Sequence, residues 1–277
     1  MKLAFERRIA LIELLKENPV LTVDELVRRF GVSAQTMRRD FQYLADCGLL
    51  TRRHGGGVAR ASAKGTPSIA GEAPFEDAFT LRVAERSAQK AAIACAALSF
   101  VTPGSTVMMD ASTSVLALAR RLPSEIQLHA IVNALPIASE LSSRAGVTTT
   151  FVGGTLRSTW LSAWGPLAEA MLRRLFADTA LISARGLSIQ RGLTEGSPAE
   201  SAVKEIMIAN ATRVVALIDS SKFNRTALSF FGPVTDVDVV VTDAEADTQV
   251  LRGLRDRGIE VLVAPASPEP PEPESGS

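Results

Sequence analysis

The sequence predicts two domains: a small helix-rich head, then a larger α/β body, doubly wound around a mostly parallel sheet. Three observations carry this. Apolar residues recur at helical spacing as far as about residue 47, whereas beyond residue 100 they gather into short, almost wholly apolar runs of strand length. Charge is uneven: residues 1–60 hold eleven Lys and Arg against seven Asp and Glu, a net of +4, and with 30 of each in the whole chain the remainder is −4. Finally, 277 residues exceed one average domain but suit a small domain plus a larger one.

Composition narrows the class. Apolar residues make up 46% and charged residues 22%, enough aliphatic material for a sizeable core although aromatics stand at 5%. The two cysteines, Cys47 and Cys95, fall in helical stretches and form no CxxC pair, which argues against a disulfide framework and fits a reducing compartment. No cofactor, no metal site and no catalytic set is expected, because neither zinc-ligand spacing nor a spaced acid/base pair stands out. No apolar run reaches the ~18 residues of a membrane span, and charge interrupts the N-terminal "MKLAFERRIALIELLKENP", unlike a signal peptide. The expected location is cytoplasmic, with no membrane partner.

In the head, Phe5, Ile9 and Ile12 repeat at i, i+4, i+7, with Leu11 and Leu15 broadening the stripe, so residues 4–17 read as a first helix stopped by "ENP". Thr22 and Glu25 form a capping box ahead of a second helix, whose buried face is Val23, Leu26, Val27 and Phe30. Gly31 turns the chain and Ser33 caps a third helix through 34–47, with Met37, Phe41 and Leu44 facing inward. Two short helices joined by three or four residues make a helix-turn-helix, whose second member enters a major groove by its N-terminal end. Its outward residues suit that task. Gln35 can pair bidentately with adenine, Arg38 and Arg39 with guanine or phosphate, and Ser33 and Thr36 can anchor a phosphate at the positive end of the helix. A solvated polar face is the competing reading. Past Gly48, "LLTRRHGGGV" reads as a β-hairpin wing, with Arg52, Arg53 and His54 beside glycines that let backbone approach phosphate.

The stretch "VSAQTMRRDFQYLADCGLLTRRHGG" resembles the N-terminal signature of DeoR-family bacterial transcriptional regulators, whose pattern runs VS-x-x-T-(I/M)-RRD-L, then G-x-L-x-R and a final HGG. Phe41 stands where the family usually has leucine, and Gly57 where it usually has alanine. The resemblance covers the whole head and implies that residues 1–60 are a winged helix-turn-helix that binds double-stranded operator DNA.

A linker is expected over 61–75, where "ASAKGTPSIAGEAP" has no periodic pattern. The body is expected over 76–264, opening on a helix through 76–100 that ends at "TPG". Seven apolar runs follow as strands: "TVMMD", "LHAIVN", "TTTFVGG", "TALISA", "RVVALID", "VDVVVTD" and "IEVLVA", with intervals that leave room for crossover helices. Residues 265–277, "PASPEPPEPESGS", read as a Pro/Glu tail too polar to pack, expected to be disordered.

Ligands of doubly wound sheets bind beyond the carboxyl ends of the strands. There "DASTS" supplies Asp110, Ser112, Thr113 and Ser114 at a helix start, Asn133 ends the next strand, Gly153 and Gly154 end the third, and Lys222 lies in "DSSKF". Helix capping, tight turns and an idle surface lysine are the alternatives. In order, "MMDASTS", "IVNAL", "VGGTLR", "GP" at 165–166, "SARGLS", Lys204, "DSSKF" and "VTD" resemble the sensor domain of the same family, related in fold to phosphosugar isomerases. The resemblance implies a regulator, a repressor of a carbohydrate or polyol catabolic operon, relieved by a phosphorylated sugar or polyol effector. Where the family usually has Asp-x-Gly-Thr-Thr, this chain carries Ser112 and Ser114 at the Gly and final Thr positions. Two other readings stay open. One is a phosphosugar isomerase-like enzyme using Asp110, Asp219 or Asp243; the other is a regulator answering a protein partner. One head covers few base pairs, so a homodimer or homotetramer is expected, joined through the body.

Overall fold

A computed structural model of the chain describes residues 7, 8, 10–12, 14, 18, 20–46, 50–53, 56–59, 75–158 and 160–265. The linker stretch 61–74 and tail residues 266–277 lie outside the described residues.

Helical residues within 7–14 form α1, followed by β1 (Val20–Thr22), α2 (Val23–Phe30) and α3 (Ala34–Asp46). Local chemistry sets each boundary. The Thr22 hydroxyl accepts from the Glu25 amide at 3.4 Å while the Glu25 carboxylate accepts from the Thr22 amide at 3.3 Å, so two otherwise orphaned donors are satisfied. Gly31 ends α2 at φ 63° and ψ 34°, the left-handed region a β-carbon disfavours, and its amide donates to the Val27 carbonyl. The Ser33 hydroxyl then accepts from the Thr36 amide at 3.2 Å and starts α3. Leu11, Leu26, Met37, Phe41 and Leu44, each at most 2% exposed, join the three helices in one core. The expected wing is present as β2 (Leu50–Arg53) and β3 (Gly56–Ala59), paired antiparallel. β1 adds a third strand on the free edge of β3, unexpected from the sequence because three residues are too few to show a period of two.

The helix expected over 76–100 is corrected to two helices, α4 (Phe75–Ala84) and α5 (Ser87–Ala97). Arg86 between them adopts φ 50° and ψ 38°, which no α-helix passes through. At that point the chain divides into two compact units, Met1–Glu85 with Ser158–Trp160, and Arg86–Arg157 with Leu161–Ser277.

In the second unit the chain continues through β4 (Thr106–Met109), α6 (Thr113–Ala119), β5 (Leu128–Val132), α7 (Leu135–Ser142), β6 (Val147–Phe151), β7 (Thr155–Arg157), β8 (Ser162–Trp164) and α8 (Pro166–Leu172). β9 (Ala177–Ile182), β10 (Gly186–Ser188), β11 (Gly192–Glu195), α9 (Pro198–Ala209), β12 (Ala211–Leu217), β13 (Ser229–Gly232), β14 (Val239–Thr242), α10 (Thr248–Arg255) and β15 (Glu260–Val263) complete it. All seven expected strands are there. They form one sheet of order β15-β14-β12-β9-β4-β5-β6, parallel at every pair. Met108, Ala180, Ala216 and Val240 are fully buried at its centre, as strands covered on both faces must be. One crossover differs from expectation. Between β12 and β14 the chain makes two 3₁₀ turns and β13 instead of an α-helix, and β13 joins β10 and β11 in a small antiparallel sheet.

The strand order reverses beside β4: β5 and β6 extend to one side, and β9, β12, β14 and β15 to the other. The switch point thus falls between β4 and β9, and open α/β sheets bind ligands in the crevice outside the carboxyl ends of such strands.

Candidate functional site

On the head, Ser33, which caps α3, and Gln35, Arg38 and Arg39 are exposed and Thr36 is half-buried; the last four lie on the first half of α3, away from Met37, Phe41 and Leu44. Arg38 and Arg39 make no ion pair among the described residues. Their neighbour does the reverse: Asp40 is 1% exposed and accepts from Arg7 Nε at 2.5 Å and Arg8 Nε at 2.9 Å, while the Arg8 guanidinium stacks 3.7 Å above the Tyr43 ring. Within "RRD", two side chains face out and the third fastens α3 to α1. Arg52 and Arg53 stand in β2 opposite Gly57 and Gly56. Their side chains, and His54, lie outside the described residues, as does Cys47.

In the body, three aspartates end strands in the same way. Asp110 after β4, Asp219 after β12 and Asp243 after β14 each accept, through Oδ1, from the amide two residues on: Ser112 at 2.9 Å, Ser221 at 3.2 Å and Glu245 at 3.1 Å. Each is an Asx turn holding the strand-to-loop corner. Their second oxygens tie neighbouring corners together, Asp110 Oδ2 accepting from the Ser183 amide at 2.8 Å and Asp243 Oδ2 from the Ser220 amide at 2.7 Å.

At the centre stands Lys204 of α9, 4% exposed. Its Nζ lies 2.8 Å from Asp110 Oδ2 and 2.9 Å from Glu195 Oε2, and donates to the Ser183 carbonyl at 2.7 Å. Burial disfavours the ammonium, but the two carboxylates outweigh it and hold the group above the ordinary lysine range. Burial likewise pushes the Glu195 carboxyl up, yet Lys204, the Gly196 amide and Arg185 bring it below the ordinary range. Glu200, one turn before Lys204, is pushed up by burial, only partly opposed by a 2.7 Å hydrogen bond from the Ser162 hydroxyl and by Lys204. Lys222 is held below the ordinary lysine range, first by burial and then by the like charge of Lys204, against the pull of Asp219 at 3.4 Å; its Nζ donates to Ser183 Oγ at 3.0 Å.

The remaining expected residues follow the carboxyl ends of β4, β5 and β6, in different states. The Ser112 hydroxyl accepts from the Val115 amide at 3.1 Å, as an N-cap. Thr113 is buried, and the Ser114 hydroxyl, fully buried, has no hydrogen-bond partner among the described residues. Asn133 is 1% exposed; its amide nitrogen donates to the Ala163 carbonyl at 3.1 Å, while Oδ1 has no partner among the described residues. Gly154 sits at φ 140°, where a β-carbon would stand 2.7 Å from the Trp164 carbonyl, whereas Gly153 faces open space.

Sequence reading missed Ser183, Glu195 and Glu200. A signal existed in α9, where Glu200 and Lys204 recur at i, i+4 on the same face as the buried Val203 and Met207. Charge on an apolar stripe calls for buried partners. Among the described residues no group of three His, Cys, Asp or Glu is placed to hold a metal, and no helix is long and apolar enough to cross a membrane.

The family model of the DeoR-like helix-turn-helix domain matches residues 7–63, and that of the DeoR C terminal sensor domain matches residues 85–244. The transcriptional repressor AccR of Agrobacterium fabrum is 34% identical over 245 residues, covering 88% of this chain and 91% of that protein. The glycerol-3-phosphate regulon repressor of Escherichia coli K12 is 30% identical over 256 residues, covering 92% and 97%. The regulator GolR of Listeria innocua is 29% identical over 260 residues, covering 94% and 98%. A solved ribose 5-phosphate isomerase of Methanocaldococcus jannaschii aligns with 48% of this chain and 53% of its own at 17% identity and a TM-score of 0.35, too low to assign fold or activity. With both domains matched and full-length relatives at this identity, the chain belongs to the DeoR family of DNA-binding transcriptional regulators.

Proposed function

We propose that this regulator is a repressor of a carbohydrate or polyol catabolic operon, released from its operator when a phosphorylated intermediate binds the body. The observation that carries the DNA half is α3: Gln35, Arg38 and Arg39 are exposed along one face, with Ser33 and Thr36 at the positive end of the helix. In this reading Gln35 and Arg38 read base edges, Arg39, Ser33 and Thr36 hold phosphates, and Arg52, Arg53 and His54 extend the phosphate contacts from the wing. Named repressors among the relatives, one of a glycerol-3-phosphate regulon, support the direction of control.

The effector half rests on Lys222. Its ammonium, half-buried after β12, donates to Ser183 Oγ at the end of β9 and stands 3.4 Å from Asp219. An arriving phosphate therefore adds a second anion to a cation that burial and Lys204 disfavour and chiefly Asp219 supports. Asn133 Oδ1, buried and unpartnered among the described residues, suits an effector hydroxyl, and Gly153 and Gly154 leave backbone near the same loops. Of the serine-rich loop, Thr113, the main chain and the Ser114 hydroxyl, unpartnered among the described residues, contact the phosphate, with Ser112 capping α6; Asp110 acts through Lys204. The working unit is a homodimer or homotetramer.

Two measurements test this reading. Fluorescence anisotropy on a duplex selected by the wild-type protein from a random pool should show binding that the Arg38→Ala, Arg39→Ala double variant loses; binding at wild-type strength would remove α3 as the reading helix. A thermal-shift screen of phosphorylated sugars and polyols should find a compound that stabilises the wild type and less so Lys222→Ala. Turnover of that compound would favour an isomerase-like enzyme instead.

A further inference from the structure

Arg86 opens the second unit, caps α5 and is one of three non-glycine residues with positive φ among the described residues. Such a backbone persists only where its surroundings hold it. Its guanidinium reaches both neighbouring strand-end loops. Nη2 donates to Ser220 Oγ and to Glu245 Oε2, each at 2.7 Å, and Nε stands 3.3 Å from Asp219 Oδ1. Asp243 Oδ1 is 3.7 Å from Nη2, and Gln89 of α5 donates to the other Glu245 oxygen at 2.7 Å.

Asp219 is the shared member of this cluster. Its Oδ1 faces Arg86 and the Ser221 hydroxyl, while its Oδ2 meets Lys222 Nζ, which in turn donates to Ser183 at the end of β9. One carboxylate therefore joins a cation of the crevice to a cation at the start of α5. Burial pushes the Asp219 carboxyl up, but Lys222, the Ser221 hydroxyl, Lys90 one turn along α5 and Arg86 outweigh it, so it stays ionised and available to both sides.

We propose that Arg86, through the Asp219 carboxylate it shares with Lys222, couples occupancy of the crevice to the left-handed corner between α4 and α5. The proposal rests on Lys222 as the phosphate contact. An anion that takes up the Lys222 charge leaves Asp219 with Arg86 as its main partner. That change is felt where the chain passes from its first unit to its second.

The test uses the full chain with sn-glycerol 3-phosphate and inorganic phosphate as probes, and the duplex selected by the wild type. A probe that occupies the crevice should weaken wild-type operator binding at least ~5-fold, the low end of ordinary coupling. Arg86→Gln should bind probe and operator alike yet lose most of that response, and Arg86→Lys, which keeps the charge without the fork, should restore part of it. A second arm needs no ligand: Lys222→Gln should change amide exchange at residues 86–90 in the wild-type background and leave it unchanged in Arg86→Gln. Equal probe responses in wild type and Arg86→Gln, or the same exchange change in both backgrounds, overturns the coupling. If neither probe binds the wild type, the phosphate reading of Lys222 fails for these compounds, and the exchange arm alone decides for or against Arg86.

Discussion

The head and the body both concentrate charge, and they treat it in opposite ways. Arg38 and Arg39 project from α3 into solvent, whereas Lys204 is enclosed by Asp110, Glu195 and the Ser183 carbonyl within 2.9 Å. An exposed cation keeps its hydration and stays free to exchange counterions for phosphates. An enclosed cation has lost its water, and its partners are part of the fold. The cations of the first half of α3 are thus left open to a partner, whereas Lys204 is built into the fold, and substitution separates the two.

The largest expected effect belongs to recognition. If a dimer contacts about 6–10 phosphates, operator affinity falls by roughly 10³–10⁵ between ~50 and ~200 mM salt. Anisotropy titrations across that range check it, and a nearly flat dependence would mean that the arginines of α3 and the wing do not hold DNA.

Next comes architecture. Lys204→Met leaves Asp110 and Glu195 buried without their cation, a loss of about 3–5 kcal/mol in the body by urea unfolding. The Arg38→Ala, Arg39→Ala variant should unfold at the wild-type midpoint. Were Lys204→Met equally harmless, the contrast between the two kinds of charge would collapse.

Within the head, Gln35→Ala should cost roughly 1–3 kcal/mol at one base position and relax preference there, while Arg52→Ala weakens all sequences alike and lowers the salt slope. Binding to a set of single-base operator variants distinguishes the two patterns; if both variants give the same pattern, the division of labour between helix and wing is wrong. Smaller still is Thr22→Ala, which removes the hydroxyl half of the α2 capping box and should lower head stability by about 1 kcal/mol, read by thermal unfolding.

How much of this was legible in the sequence follows from the range of the forces. Thr22 with Glu25, Gly31 and Ser33 with Thr36 act over three or four residues, so the head could be read almost element by element. All seven strands of the sheet were legible too, because burial on both faces makes each an apolar run. Partners far apart in the chain were not. Asp110 meets Ser183 and Lys204, and Arg86 meets Asp219 and Glu245, only because the strand order brings β4, β9, β12 and β14 side by side. The break at Arg86 was hidden for the same reason. Nothing in "VAERSAQK" stops a helix, and the side chain that holds the left-handed corner finds its partners more than 130 residues away.

The smallest expected effect sharpens the comparison inside the body, between Glu195 and its neighbour Glu200. Lys204 touches Glu195, whose folded pKa is lowered, so Glu195 adds stability above its unfolded pKa that is lost as pH falls through the folded value. Glu200 is raised, mainly by burial. Between its unfolded and folded values the folded state therefore holds more protons than the unfolded chain, and stability falls as pH rises through that window. Glu200→Gln removes this term while keeping an oxygen to accept from the Ser162 hydroxyl. The variant should match wild type at the acid end and become progressively the more stable of the two as pH rises from the ordinary glutamate range toward neutrality. Urea midpoints for both proteins across that range measure it. Parallel curves would mean that the Glu200 carboxyl titrates alike folded and unfolded, burial being offset in full by the Ser162 hydroxyl and Lys204.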